Sequence, residues 1–469
     1  MKKQEDTTLR NARYFWGALL GFTIVLILDT ITGFGITSAI IKLVVPGKVI
    51  SLKEPADHPI ILPLRKEDVK IPPTINDPYD DLRALVDGEV PEIYKHIIIN
   101  KHHLDVPSNP TMMEFLNLTE DKYVTSLEKF QNRISQHEMY PEDDWIVQRV
   151  LHNLAELNFY ELYEKSGGTQ FKMIVKYEHG YRALFKPMRF ARDQQAAPNH
   201  YYYNDYERHN GEIASYHLDK ILGFRRAIPM IGRKINLTSE MLPLVDDELA
   251  QTFYISPSGR VCFTGVCDVF CDTSHGICGD PYMLEGSFAA FLPRHKNATR
   301  KVWRHPWRRS YSKRRMVEWE WNDNFCDKVK QIFPYSEGRR MLDLMDMAVY
   351  DFLIGNLDRH HYETFKAFNT NETFTIHLDQ GRSFGLPFHD ELTILLPLKQ
   401  CCMIRKSTLK TLLDFHKGPI KMSDALKESL KSDPLEPILW EPHYEALDRR
   451  NVIILEYVRN CLKVDDDKK

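Results

Sequence analysis

The chain has 469 residues, of which 43% are hydrophobic and 27% charged, and its formal net charge is −3. That composition is ordinary for a globular protein and favours one large bilobal domain with a stem over several small domains. The near-neutral balance gives no sign of a general nucleic-acid binder.

The first 13 residues carry Lys2, Lys3, Arg10 and Arg13, and residues 14–28 are almost unbroken apolar sequence. Asp29 interrupts, and a second largely apolar stretch runs over 31–45. Basic residues ahead of such a run favour a cytoplasmic N-terminus and a lumenal remainder. No A-x-A-like cleavage site follows, so residues 14–45 read as an uncleaved signal anchor rather than a cleaved signal peptide or a buried core helix. Residues 46–79 hold seven prolines and no helical period, the pattern of an extended stem.

Helical patterns begin near residue 80, over 119–132 and 143–160 among others. At Ser166-Gly-Gly-Thr-Gln170 the character changes. Residues 171–177 and 181–185 read as two strands joined by Glu178-His179-Gly180. A glycine turn opening such a hairpin can lie over phosphates, because bare backbone approaches closely. The second strand ends in Leu184-Phe185-Lys186-Pro187, which sets a cation beside a sheet. The run Asp205-Tyr-Glu-Arg-His-Asn-Gly-Glu212 then opens a helix over 205–222, with Glu207 in its first turn. From there Glu207 can meet Lys186 or a metal.

Further along, a helix over 341–354 buries Leu342, Met345, Val349 and Phe352, and Gly355-Asn356 stops it. Asp358-Arg359-His360-His361 follows. Asp379 lies 21 residues after Asp358, at the end of a short strand with Phe374, Ile376 and Leu378 on one face. One carboxylate on a loop and another at a strand end suit phosphoryl transfer from a nucleotide. The first can accept the proton of an attacking hydroxyl and the second can hold a metal on the phosphates. Hairpin, Lys, Glu helix, apolar linker, helix, Asp loop, strand and Asp is the order of parts in a protein-kinase-like fold. The chain therefore reads as α+β, an atypical bilobal kinase-like fold. Residues 80–292 form a helical segment and the N-lobe, and 293–469 the C-lobe.

Four N-x-[ST] sequons, at Asn117, Asn236, Asn297 and Asn371, agree with a secretory route. So do the eight cysteines, which read as disulfides in an oxidising lumen. Cys262, Cys267, Cys271 and Cys278 lack the C-x2-C pairing and nearby histidines of a zinc site, and pairing among them would staple a loop. Cys326 and Cys461 are natural partners for the vicinal Cys401-Cys402. Residues 300–315 hold eight Lys/Arg interleaved with Trp303, Trp307 and Tyr311. Behind an anchor this is a solvated basic segment, with docking of acidic substrates as the functional version.

At several of these motifs the sequence resembles the secretory-pathway kinases typified by the Golgi casein kinase. They include Ala183-Leu-Phe-Lys-Pro-Met188, Glu207-Arg-His-Asn210, Glu285-Gly-Ser-Phe-Ala-Ala-Phe-Leu-Pro293, Asn356-Leu-Asp-Arg-His-His-Tyr-Glu-Thr364, His377-Leu-Asp-Gln-Gly381 and Gln400-Cys-Cys402. The resemblance implies Asp358 as catalytic base and Asp379 as metal ligand, with Gln380-Gly381 where ordinary kinases have Phe-Gly. It implies Glu207 as a second metal ligand, Lys186 on the phosphates and Gln170 over the nucleotide. Ala289, Ala290, Phe291 and Leu292 would hold the adenine, and Glu363 would stand where ordinary kinases place an Asn. ATP with Mn2+ or Mg2+ is the implied cofactor set. The implied disulfides are Cys262–Cys278, Cys267–Cys271, Cys326–Cys401 and Cys402–Cys461.

Within that family, three activities are open: a serine kinase acting on acidic Ser-x-Glu sites of secreted proteins, a glycosaminoglycan xylosylkinase, and a non-catalytic activator. The activator carries Gln where Glu207 stands here, so an active enzyme is expected, and the hinge and flanking stretches lean towards the serine kinase. The implied setting is a single-pass type II Golgi membrane protein with a lumenal catalytic domain, released where the stem is cleaved. Homodimers, or heterodimers with a pseudokinase paralogue, are the expected assemblies.

Overall fold

Thr125 opens the first helix that bears on the site. Its hydroxyl accepts from the Glu128 N–H at 3.2 Å while Glu128 accepts from the Thr125 N–H at 3.0 Å. This reciprocal cap starts α1 (Ser126–Arg133). Asp144 caps α2 (Trp145–Glu156), which buries Ile146, Val147, Val150 and Leu154. The structure, a computed structural model, describes residues 77–101, 108–119, 124–197, 205–266, 270–293, 298–312, 314–368 and 371–466. The expected anchor and the stem as far as residue 76 lie outside the described residues, as do Cys267 and Asn297. Among the described residues no helix is long and apolar enough to cross a membrane.

The helix expected over 143–160 ends at Glu156, and the chain enters β1 (Phe159–Glu164). Phe159 and Leu162 of β1 are buried and Tyr160 is exposed. β2 (Met173–Tyr177) and β3 (Arg182–Pro187) follow as expected. α3 (His209–Ile221) comes next, then β4 (Met230–Asn236) and β5 (Met283–Ala290). The expected two strands thus belong to a five-stranded sheet in the order β1-β2-β3-β5-β4, antiparallel throughout. Lys186 faces Ser287 across the β3–β5 ladder. Gly286 is required here, because a Cβ on it would fall 2.1 Å from the Phe185 ring.

Between β4 and β5 a small three-stranded sheet is stapled by Cys262–Cys278. Its Phe263 packs on Phe171 with ring centroids 5.2 Å apart. After β5 the basic segment forms β6 (Arg300–Arg304), antiparallel to β7 (His361–Phe365) directly behind the Asp358 loop. Its tryptophans are packing residues: Trp307 is buried in a second core with Trp319, Met341, Leu344, Met345 and Tyr362, and Trp303 packs against that core.

α4 (Arg340–Ile354) is buried along its whole length and ends at Gly355, in the left-handed region at φ 69°. Its buried Asp343 and Asp346 require cations, and Arg226, Arg339 and Arg405 supply them. The expected strand over 374–378 exists as bridges at Ile376 and His377 and is buried on both faces rather than one. The helices α5 (Lys406–Lys417), α6 (Met422–Leu430) and α7 (Glu441–Asp466) complete the chain. Cys326–Cys401 and Cys402–Cys461 tie this helical part together, in the pairing the resemblance implied.

Candidate active site

Lys186 stands at the centre of the site. β3 brings it in between buried Phe185 and Pro187, and its Nζ meets three carboxylates. Glu207 lies at 2.7 Å and Asp379 at 2.6 Å, and Glu212 forms the third ion pair. Burial opposes the ammonium charge, but Asp379, Glu207 and Glu212 outweigh it and hold Lys186 well above the usual lysine range. Lys186 in turn holds Asp379 well below the usual carboxylate range. Glu207 is pushed up, mainly by burial and against the pull of Lys186.

The backbone around Asp379 is shaped to permit this. Asp379 itself has φ 61°, a left-handed conformation held by its surroundings. The Gln380 N–H donates to Glu212 Oε2 at 3.2 Å, and the Arg208 N–H donates to the Gly381 carbonyl at 2.6 Å. A Cβ on Gly381 would lie 2.6 Å from Glu207 Cβ, so only glycine lets the two segments close.

One carboxylate oxygen each from Glu207, Glu212 and Asp379 lie within 4.8 Å of one another. Three carboxylates against one ammonium leave an excess of negative charge in hard oxygen donors. That donor set fits a divalent cation such as Mn2+ or Mg2+.

Asp358 is placed by the end of α4. Beyond Gly355, Asn356 Oδ1 accepts from the Asp358 N–H at 3.0 Å and fixes the turn. Arg382 Nη1 lies 2.9 Å from Asp358 Oδ2, and His360 Nδ1 lies 3.2 Å from Oδ1. The Asp358 hydrogen bond is the largest cause raising the His360 pKa. Arg359 turns the other way, into the protein. It pairs with both oxygens of Asp351 on α4 at 2.9 Å and donates to the Leu378 carbonyl at 2.6 Å. One guanidinium thus joins the Asp358 loop to the residue preceding Asp379. The Tyr311 ring, from the basic segment, stands 6.0 Å from that of His360.

Residues 125–469 match the family described as "Golgi casein kinase, C-terminal, Fam20". The chain belongs to the Fam20 family. This Fam20 chain is 54% identical over 392 residues to "Extracellular serine/threonine protein CG31145" of Drosophila melanogaster, spanning 83% of this chain and 73% of that one. It is 48% identical over 365 residues to human "Extracellular serine/threonine protein kinase FAM20C", spanning 76% of this chain and 62% of the human one. Human "Glycosaminoglycan xylosylkinase" is 39% identical over 331 residues, 69% of this chain and 77% of that one. Among solved structures, "crystal structure of the Golgi casein kinase with Mn/ADP bound" superposes with a TM-score of 0.75 at 40% identity. It covers 85% of this chain and 94% of that one. The kinase-like α+β fold expected from the order of motifs is therefore the fold of this Fam20 chain.

The expected residues divide in three. Lys186, Glu207 and Asp379 converge, and Arg359 bonds the Asp358 loop to Leu378, the residue before Asp379. Gln170 is buried beside the glycine turn, with Nε2 3.4 Å from the Asp205 carbonyl. Ala289, Ala290, Phe291 and Leu292 form the exit of β5, where Gln131 Nε2 donates to the Phe291 carbonyl at 2.5 Å. The Glu363 carboxylate pairs with Arg300 at 2.7 Å rather than with the Lys186 group. Of the sequons, Asn117 is exposed, Asn236 caps the following turn and Asn371 is half-buried.

Two corrections concern α3. It starts at His209, so Glu207 precedes the helix instead of occupying its first turn. The first-turn acid is Glu212, which the sequence reading passed over, as it did Arg359, Arg382 and Asp351. A signal for Glu212 was present. Glu212, Ser215 and Asp219 recur on one side of a helix that is buried from His209 to Asp219, and a buried acid demands a cation.

Proposed function

We propose that this Fam20 chain is a lumenal, secretory-pathway kinase that transfers the γ-phosphoryl of ATP to serine in secreted proteins, at acidic sites of the Ser-x-Glu type. The observation that carries this reading is the Lys186–Glu207–Glu212–Asp379 cluster, joined through Arg359 to the loop bearing Asp358. Asp358, held by Arg382 and His360, accepts the proton of the serine hydroxyl as its oxygen bonds to the γ-phosphorus and ADP leaves. Glu207, Glu212 and Asp379 would hold a divalent cation, which when bound would supply positive charge against the developing phosphate charge. Gln170, the stretch Ala289, Ala290, Phe291 and Leu292, and Glu363 would border the nucleotide.

Three considerations support an active enzyme with serine in a protein as acceptor. Glu207 is present where a non-catalytic relative would have Gln, the human serine/threonine kinase is more similar than the xylosylkinase, and β6 sets basic residues behind the catalytic loop. The apolar run over 14–45 anchors the chain in the Golgi membrane as a type II protein, and stem cleavage releases it. A second copy, or a pseudokinase paralogue, is the proposed assembly partner.

The deciding experiment offers an acidic casein-like peptide and a xylose-bearing tetrasaccharide side by side, with labelled ATP and Mn2+. Asp379→Ala serves as control. Label on the peptide, lost in the control, is expected. Label on the sugar alone makes the protein a xylosylkinase, and label on neither from a folded, ATP-binding protein makes it an activator.

A further inference from the structure

Within the basic segment over 300–315, Arg300, Lys301 and Arg309 have partners of their own. Arg300 pairs with Glu363 at 2.7 Å, Lys301 Nζ lies 3.6 Å from the centre of the Trp303 ring, and Arg309 donates to Thr393 Oγ1. Arg308 differs. It is half-buried, and among the described residues it has no carboxylate partner and no side-chain hydrogen bond. A half-buried guanidinium gives up part of its hydration and keeps five donors in a fork that fits a carboxylate.

The backbone holds this residue against the catalytic loop. The Arg308 N–H donates to the His305 carbonyl at 3.2 Å, and the Arg308 carbonyl accepts from Trp319 Nε1 at 2.9 Å. The His305 N–H donates to the His360 carbonyl at 3.0 Å, so the turn over 305–308 starts two residues from Asp358 in space. Three residues beyond Arg308, the Tyr311 ring stands 6.0 Å from that of His360, whose Nδ1 is 3.2 Å from Asp358 Oδ1. Burial and then the Asp358 charge push the Tyr311 phenol up, while Arg382 and Arg308 pull it down. The phenol therefore feels both the base and Arg308.

A peptide whose serine hydroxyl meets Asp358 sets a demand on its surroundings. In an extended chain the side chains at i and i+2 share a face, about 7 Å apart along the strand. The step from His360 to Tyr311 has that length, and the cation beside Tyr311 is Arg308. We propose that Arg308 reads the acidic side chain two positions after the target serine, its guanidinium taking that carboxylate beside the Tyr311 ring. The turn fixes the cation before substrate arrives, which lowers the ordering cost of the contact. The inference rests on the serine-kinase reading.

The test compares two peptides, Ser-x-Glu and the same sequence with Gln at the third position, with ATP and Mn2+. Steady-state phosphotransfer is measured for the full wild-type protein, Arg308→Ala, Arg308→Lys and Arg304→Ala, the last an exposed cation of the same segment. A charge-assisted contact sets the wild-type preference for the Glu peptide at about tenfold or more in kcat/KM. Arg308→Ala should raise KM for the Glu peptide by that factor and leave the Gln peptide and the KM for ATP within about twofold. Arg308→Lys should restore part of the preference and Arg304→Ala should keep it. Should Arg308→Ala fail to fold, Arg308→Gln, which keeps more of the stem, takes its place. An equal loss on both peptides, a preference that survives in Arg308→Ala, or a wild type that phosphorylates both peptides equally overturns the assignment and leaves the kinase reading intact. A folded wild type that phosphorylates neither peptide overturns both.

Discussion

Glu212→Gln isolates the pair that organises the site. The substitution keeps the shape of the side chain and removes one negative charge from a position that is 1% exposed. Breaking a buried ion pair outright costs about 3–5 kcal/mol. Here Lys186 retains Glu207 at 2.7 Å and Asp379 at 2.6 Å, so the loss of folding stability should be smaller, about 1–2 kcal/mol. The chemical step should suffer more. Glu212 also fixes the Gln380 N–H and thereby the peptide after Asp379, and one preorganised electrostatic contact is worth about 10²–10³ in kcat. Stability is read by urea unfolding and the chemistry by steady-state phosphotransfer to the acidic peptide with Mn2+. A folded Glu212→Gln protein with wild-type kcat would refute the claim that Glu212 organises Lys186 and Asp379.

Three further outcomes follow from the same geometry. Gly381→Ala puts a Cβ against Glu207 and should weaken Mn2+ binding by about tenfold or more, with the fold retained. Manganese titration of the wild type and the variant measures this, and equal affinity would show that the two segments part freely. Removing Cys402–Cys461, which closes a loop of 59 residues, should cost about 4 kcal/mol by chain entropy, read as the shift in urea midpoint of the double serine variant. Finally, burial pushes His217, His305 and His443 down to about 3. The unfolded chain protonates these rings near pH 6.5 and the folded chain resists, so stability is full above that pH and falls as the pH drops towards 3. At pH 5 each should cost about 2 kcal/mol, and His443→Gln should flatten the fall between pH 7 and 5. A variant with the wild-type slope would contradict this.

The parts of the site that were legible are those fixed by local sequence. Gly355 after a strongly periodic helix marks where α4 must stop, so Asp358 could be placed on a loop without any knowledge of packing. Glu207 was rightly read as a partner of Lys186, but Glu212, a second one, was missed for the opposite reason. Whether Glu207 or Glu212 opens α3 turns on a shift of a few residues in a helix start, and helix ends are set by tertiary contacts such as the Arg208–Gly381 hydrogen bond. β1 was missed because only Leu157 and Asn158 separate it from α2, with no glycine or proline to mark the change. In Cys401-Cys402 the spacing says which cysteines are near but not which sulfur faces Cys326. That depends on α7 passing on one side, and the resemblance alone supplied the order.

The Arg359 bridge has a consequence for how such a chain can change over time. Asp358 and Asp379 keep their spacing through one side chain that spans Asp351 and the Leu378 carbonyl, not through the peptide that joins them. The excursion between Phe365 and Phe374 can therefore lengthen, shorten or acquire a sugar at Asn371 without moving either acid. Insertions there should be tolerated in descendants of this sequence, whereas even the conservative exchange of Arg359 for lysine gives up the fork that holds two partners at once.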